Sequence, residues 1–262
     1  MSANIVCVIW GQEGSGKSSM ALTFPKPLKH YDIDVGGFDR AIWRLTGEGI
    51  TSKSYPIPVQ IEKLTGAKKE GMNIRFPRRV TGYKELWQEI VTDFVEDCQN
   101  KSIFTIVLDS ATQLWTICHS SMLQEKQEIQ ISQGMRPEDA KFREKLLPIE
   151  FPNDRMRSLI YTARSYGKNL VLTHYPRNVY KEQFNKGELV QYKSDDLEPD
   201  GFKDTTKLVD VVFWTFSEKG QAHAKITIKC ALPGLGMSAV EMELPEPSYN
   251  GIMELKKMMS GG

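Results

Sequence analysis

Gly11-Gln12-Glu13-Gly14-Ser15-Gly16-Lys17-Ser18 is the stretch whose residue types and spacing speak most directly of chemistry. It satisfies G-x-x-x-x-G-K-[ST], a pattern built to hold a polyphosphate. Glycines let the backbone fold tightly so that successive N–H groups point inward. Lys17 would reach the outer phosphates and the Ser18 hydroxyl would ligate Mg²⁺. Gly11, Gln12, Glu13, Gly14, Ser15, Gly16, Lys17, Ser18 and Ser19 form the expected binding set.

Three further positions carry chemistry only by their placement. Asp109 ends the apolar run Ile103 to Leu108, where a buried parallel strand would deliver a Mg²⁺-holding acid. Asp32 and Asp34 end a second strand beside Gly36-Gly37, either as a catalytic edge or as a polar terminus with Asp34 capping the next turn. His174 ends Asn169 to Thr173 and is either a γ-phosphate sensor or a satisfied structural histidine. The stretch from Pro176 to Thr206 has no clear periodicity and reads as a long loop. Arg177, Tyr180, Lys181, Phe184 and Lys186 there mix cations with aromatic faces, as single-stranded nucleic acid requires. Glu182, Glu188, Asp195, Asp196, Glu198, Asp200 and Asp204 nearly cancel that charge, so a solvated mixed-charge loop stands beside that reading.

The elements that must position these residues follow from pattern. Ile5 to Trp10 reads as a buried strand entering the glycine-rich loop, and Ser18 to Phe24 as the helix leaving it, stopped by Pro25. Leu28 to Asp34 is a second strand and Phe38 to Leu45 a short helix. Tyr83 to Gln99 has Leu86, Trp87, Ile90, Val91, Phe94, Val95 and Cys98 on one helical stripe. Ser110 to Ile131, Pro137 to Leu147, Asn153 to Tyr166 and Ile252 to Met259 complete the expected helices. Leu208 to Phe216 and Ala224 to Lys229 pair as an antiparallel edge across Glu218-Lys219-Gly220. Gly47 to Thr81 reads as a basic insertion, a solvated surface or a nucleic-acid contact, with a hairpin turning at Lys69-Glu70-Gly71.

The chain has 262 residues, 40% hydrophobic and 26% charged, with a net charge of +1. That length suffices for one large α/β domain, and the charge excludes a bulk field drawing in nucleic acid or membrane. Cys7, Cys98, Cys118 and Cys230 are too scattered for a C-x-x-C metal site and read as buried reduced thiols. No signal-like or membrane-spanning run is evident, so a cytoplasmic protein without membrane contact is expected.

Taken in order, these elements resemble the RecA-like ATPases, and more narrowly the bacteriophage-encoded RecA-like single-strand annealing ATPases. The resemblance rests on Gly14 to Pro27, Tyr31 to Gly37, Ile106 to Ser110 and Leu170 to His174. It implies one RecA-like P-loop domain over 1–262, an α/β fold with a mostly parallel central sheet flanked by helices and antiparallel C-terminal edge strands. It implies that Lys17, Ser18 and Asp109 hold MgATP, and that Asp34 replaces a longer water-orienting glutamate, giving slow hydrolysis. It makes His174 the phosphate reporter to a DNA-binding loop at 176–206. Lys229, with Lys225, becomes the candidate for a cation supplied to a neighbour's site. The implied partners are single-stranded DNA, further copies in a ring or filament and a single-strand binding protein, in a bacterial host's cytoplasm. Two other classes compete: a nucleotide-gated scaffold or helicase-loading adaptor, and a small-molecule kinase, for which no acceptor site is marked.

Overall fold

Strand β1 (Val6–Gly11) alternates its side chains strictly between two apolar layers. Val6, Val8 and Trp10 join one buried cluster, whereas Cys7 and Ile9 join another. A strand apolar on both faces belongs in the middle of a sheet covered on both sides, and it lies there. The computed structural model describes residues 4–43, 45–58, 80–136, 150–185, 188–202, 204–232 and 241–259.

The other strands of the main sheet are β2 (Leu28–Asp32), β3 (Ile50–Ser54), β4 (Thr105–Asp109), β5 (Asn169–His174), β8 (Val211–Glu218) and β9 (Gln221–Cys230). Their order is β3-β2-β4-β5-β1-β8-β9. All neighbours run parallel except β8 and β9, which form the expected antiparallel edge. Helices α3 (Tyr83–Gln99), α4 (Ala111–Ser132) and α5 (Glu150–Ser165) cover one face. Helices α1 (Lys17–Ala21), α2 (Gly37–Ile42) and α7 (Tyr249–Met259) cover the other, and the short α6 (Thr205–Leu208) precedes β8. The α3 stripe behaves as its spacing dictates: Leu86, Trp87, Ile90, Phe94 and Cys98 are buried. Each large apolar side chain on it contributes about 1.5–3 kcal/mol by leaving water.

Two expectations are corrected. Ile50–Ser54, read as part of an insertion, is the edge strand of the core sheet, paired in register with Leu28–Asp32. The stretch read as a loop from Pro176 to Thr206 is mostly an antiparallel hairpin, β6 (Pro176–Asn185) and β7 (Glu188–Pro199). A register shift between Asn178 and Tyr180 breaks its alternation, and charged side chains on the two strands pair with each other. Arg177 pairs with Glu198, and Lys181 with Asp196. The hairpin expected around Lys69-Glu70-Gly71 and the helix from Pro137 to Leu147 lie outside the described residues. All four cysteines are buried, and no described helix is long and apolar enough to cross a membrane.

Candidate nucleotide-binding site

The carboxyl ends of β1, β2, β4 and β5 open into a cavity of about 260 Å³. Its walls include Glu13, Gly14, Gly16, Lys17, Ser18 and Ser19 from the glycine-rich loop, with Asp34 and Asp109 opposite. Gly11, Gln12 and Ser15 serve the loop from behind. A Cβ at Gly11 would fall 2.2 Å from the Thr215 carbonyl oxygen, so only glycine lets the loop start this close to β8. Ser15 Oγ, 2.8 Å from Thr215 Oγ1, ties the loop to that strand. Gly16 turns into α1 with φ 93°, a left-handed conformation that favours glycine.

Lys17 Nζ donates to the Gly11 and Gln12 carbonyls at 2.9 and 2.8 Å, so the ammonium is stored against its own loop. Burial holds its pKa below the usual lysine range, against the opposing pull of Asp109, Asp34 and Glu13. Asp109 is buried. Burial opposes its charge, but hydrogen bonds from His30, Ser18 and Thr173 outweigh that and hold its carboxyl below the usual range. His30 Nε2 lies 3.2 Å from Oδ2, and the Thr173 hydroxyl donates to Oδ1. A hydroxyl beside an ionised buried carboxylate is a hard-oxygen donor set. It fits Mg²⁺, which is bound through one or two carboxylates plus phosphate oxygens and water.

The two acids ending β2 have separate tasks. Asp32 accepts from the backbone N–H groups of Gly36 and Gly37 and from Ser54 Oγ, so it, rather than Asp34, caps the turn. Asp34 faces the cavity and accepts from Ser110 Oγ at 2.9 Å and from the Tyr175 hydroxyl at 2.6 Å. Its pKa is raised, by burial first and by the Asp109 charge, while Tyr175, Ser110 and Lys17 favour the ionised form.

His174 does not reach this cavity. It is fully buried beneath the hairpin's base, with Nδ1 2.7 Å from the Asp200 carbonyl oxygen. Burial pushes its pKa down to about 4, so it stays neutral at physiological pH. Its neighbour Tyr175 lines the cavity instead, with Lys17 Nζ 4.7 Å from its ring centroid. The residue after the strand's last one thus faces the cavity. Tyr175, His30 and Thr173 were missed because each meets the site through sheet pairing, which no local motif announces.

The remaining candidates lie elsewhere. Lys225 Nζ is 2.7 Å from Glu241 and 4.8 Å from the Trp214 ring centroid, and Lys229 Nζ donates to the Lys207 carbonyl at 2.7 Å. Arg177, Tyr180 and Lys181 are on β6, and Tyr180 is 68% exposed. Phe184 is placed only by its backbone in β6, and Lys186 lies outside the described residues. Beside β7 a second cavity of about 370 Å³ is lined by Trp10, Leu197, Trp214, Lys225 and Ile228. Trp10, Trp214, Phe216 and His223 form a row there, with successive ring centroids 6.1, 4.7 and 5.3 Å apart.

Residues 3–213 match the family model described as an AAA domain, and the chain belongs to that family of P-loop ATPases. No curated protein matches the chain.

Proposed function

We propose that this AAA-domain chain binds and hydrolyses ATP with Mg²⁺ and couples the nucleotide to single-stranded DNA, in recombination or annealing of the bacteriophage type. The observation that carries the ATP half is the convergence of Lys17, Ser18, Asp34 and Asp109 on one cavity. Bound there, Mg²⁺ would neutralise charge on the β- and γ-phosphate oxygens. Lys17 exchanges its carbonyl partners for phosphate oxygens. Asp34, held by Ser110 and Tyr175, orients a water and takes its proton. The water oxygen bonds to the γ-phosphorus as the bond to the bridging oxygen breaks, releasing ADP and inorganic phosphate.

The DNA half is supported by the hairpin's attachment and surroundings. Tyr175, which touches Asp34, runs directly into β6, and the Asp200 N–H after β7 donates to the Tyr175 carbonyl at 2.7 Å. The half-buried rings of Trp214 and Phe216, with Lys225 over the first, bring aromatic groups and a cation together beside β7, as base stacking and phosphate contact require. Family resemblance adds a ring or filament of copies, a single-strand binding protein and the bacterial cytoplasm. One observation favours a nucleotide-gated scaffold instead: the hairpin cations Arg177 and Lys181 are already paired with carboxylates.

Hydrolysis measured with and without single-stranded DNA, alongside DNA affinity at fixed salt with and without a non-hydrolysable ATP analogue, separates these. We expect Lys17→Ala to reduce hydrolysis by about 10²-fold or more, and the analogue to tighten DNA binding in the parent only. Hydrolysis unaffected by Lys17→Ala defeats the ATP reading. DNA affinity indifferent to nucleotide leaves the scaffold.

A further inference from the structure

Helix α2 buries Ala41 and packs Phe38 and Ile42 into the core, which turns Asp39 and Arg40 outward. Arg40 nonetheless lines the nucleotide cavity. Its location within that cavity follows from the two glycines before the helix. A Cβ at Gly37 would sit 3.8 Å from Asp109 Oδ2 and 4.0 Å from the Asp34 Cβ, so Gly37 borders the acid end. A Cβ at the adjacent Gly36 would sit 3.3 Å from Arg40 Nη1. The guanidinium therefore lines the cavity beside the Gly36-Gly37 turn, whose second glycine borders the acids.

Charge makes that placement consequential. The cavity's acids Glu13, Asp34 and Asp109 face the cations Lys17 and Arg40. Among the described residues the Arg40 guanidinium makes no ion pair or hydrogen bond, whereas Lys225 and Lys229 are both engaged within their own chain. A planar guanidinium donates in a fork that matches two phosphate oxygens. We propose that Arg40 grips the outermost phosphate of the bound nucleotide, so that each chain distinguishes a triphosphate from a diphosphate with its own second cation.

This inference rests on the triphosphate reading, and the test keeps the two apart. Binding of a non-hydrolysable ATP analogue and of ADP, each with Mg²⁺, is measured by calorimetry on the full chain, Arg40→Ala and Arg40→Lys. Arg40→Ala should lose about tenfold or more in analogue affinity, as one charge-assisted phosphate contact implies, while ADP affinity stays put and reports an intact fold. Arg40→Lys should recover part of the loss. Equal losses for both nucleotides, or none for the analogue, would overturn the assignment. A parent chain that binds neither nucleotide would remove the triphosphate reading itself, and this inference with it.

Discussion

Asp34 carries a carboxyl that its surroundings pull in opposite directions. Burial and the Asp109 charge favour the neutral form, while Tyr175, Ser110 and Lys17 favour the ionised one. A water-orienting base works only when ionised, so the rate should fall as pH drops through its pKa. Tyr175→Phe removes one donor that favours the charge. The acid limb of kcat/KM should therefore shift to higher pH, with the plateau reached later. A pH–rate profile with an unmoved or downward-shifted limb would mean that Asp34 is not the titrating base. The same residues show what a sequence exposes. Lys17, Ser18 and Asp109 were legible because a glycine-rich loop and an Asp-ended apolar strand are local patterns. Tyr175 and His30 were not, since one meets Asp34 across 141 positions and the other meets Asp109 across 79. Of the two readings of His174, the structural one accords with its burial and the sensor one misses the cavity by a single residue, because consecutive side chains on an extended backbone face opposite ways.

At the scale of elements, the helices and buried strands were legible wherever one face had to be apolar. Tyr83–Gln99 was read with the bounds that the structure gives it. The hairpin β6–β7 was hidden because its pairing depends on cross-strand charges and its alternation is interrupted near Asn178. β3 was hidden for a related reason: Ile50-Thr51-Ser52-Lys53-Ser54 is an edge strand with little apolar content. What fixes the hairpin is its base. Asp200 accepts from Thr112 Oγ1 at 2.6 Å through its carbonyl, which also meets His174 Nδ1. Next to it, a Cβ at Gly201 would fall 2.7 Å from His174 Cε1 and 2.8 Å from Nδ1. That ring is fully buried and cannot swing away. Gly201→Ala should thus destabilise the fold by about 1–3 kcal/mol, as overpacking does. Urea unfolding would show a lower midpoint at unchanged slope. A midpoint equal to that of the parent would contradict the packing of the hairpin base on His174.

For the whole molecule, the nucleotide cavity and the hairpin share the carboxyl end of β5, since Tyr175 lines the cavity and the hairpin begins at Pro176. Tyr175 contacts Asp34 through its hydroxyl and the hairpin base through its backbone, since its N–H donates to Thr112 Oγ1 and its carbonyl accepts from Asp200. A two-stranded ribbon that pairs with no other strand among the described residues is marginal by itself and should open locally at less cost than the seven-stranded sheet. Nucleotide then has two separable effects. Mass action protects every globally exchanging amide, by about 2.7 kcal/mol at a hundredfold excess over Kd. Slower exchange across Pro176–Pro199 requires more, because local opening there need not release the ligand. We expect a non-hydrolysable ATP analogue to slow amide exchange in the hairpin of the parent chain. In Tyr175→Phe the global protection should remain and the hairpin effect should shrink, since the hydroxyl that reads Asp34 is gone while the backbone contacts persist. Hairpin exchange that ignores nucleotide in the parent, while the core is protected, would show that the cavity and the ribbon act independently. ATP would then gate some other surface.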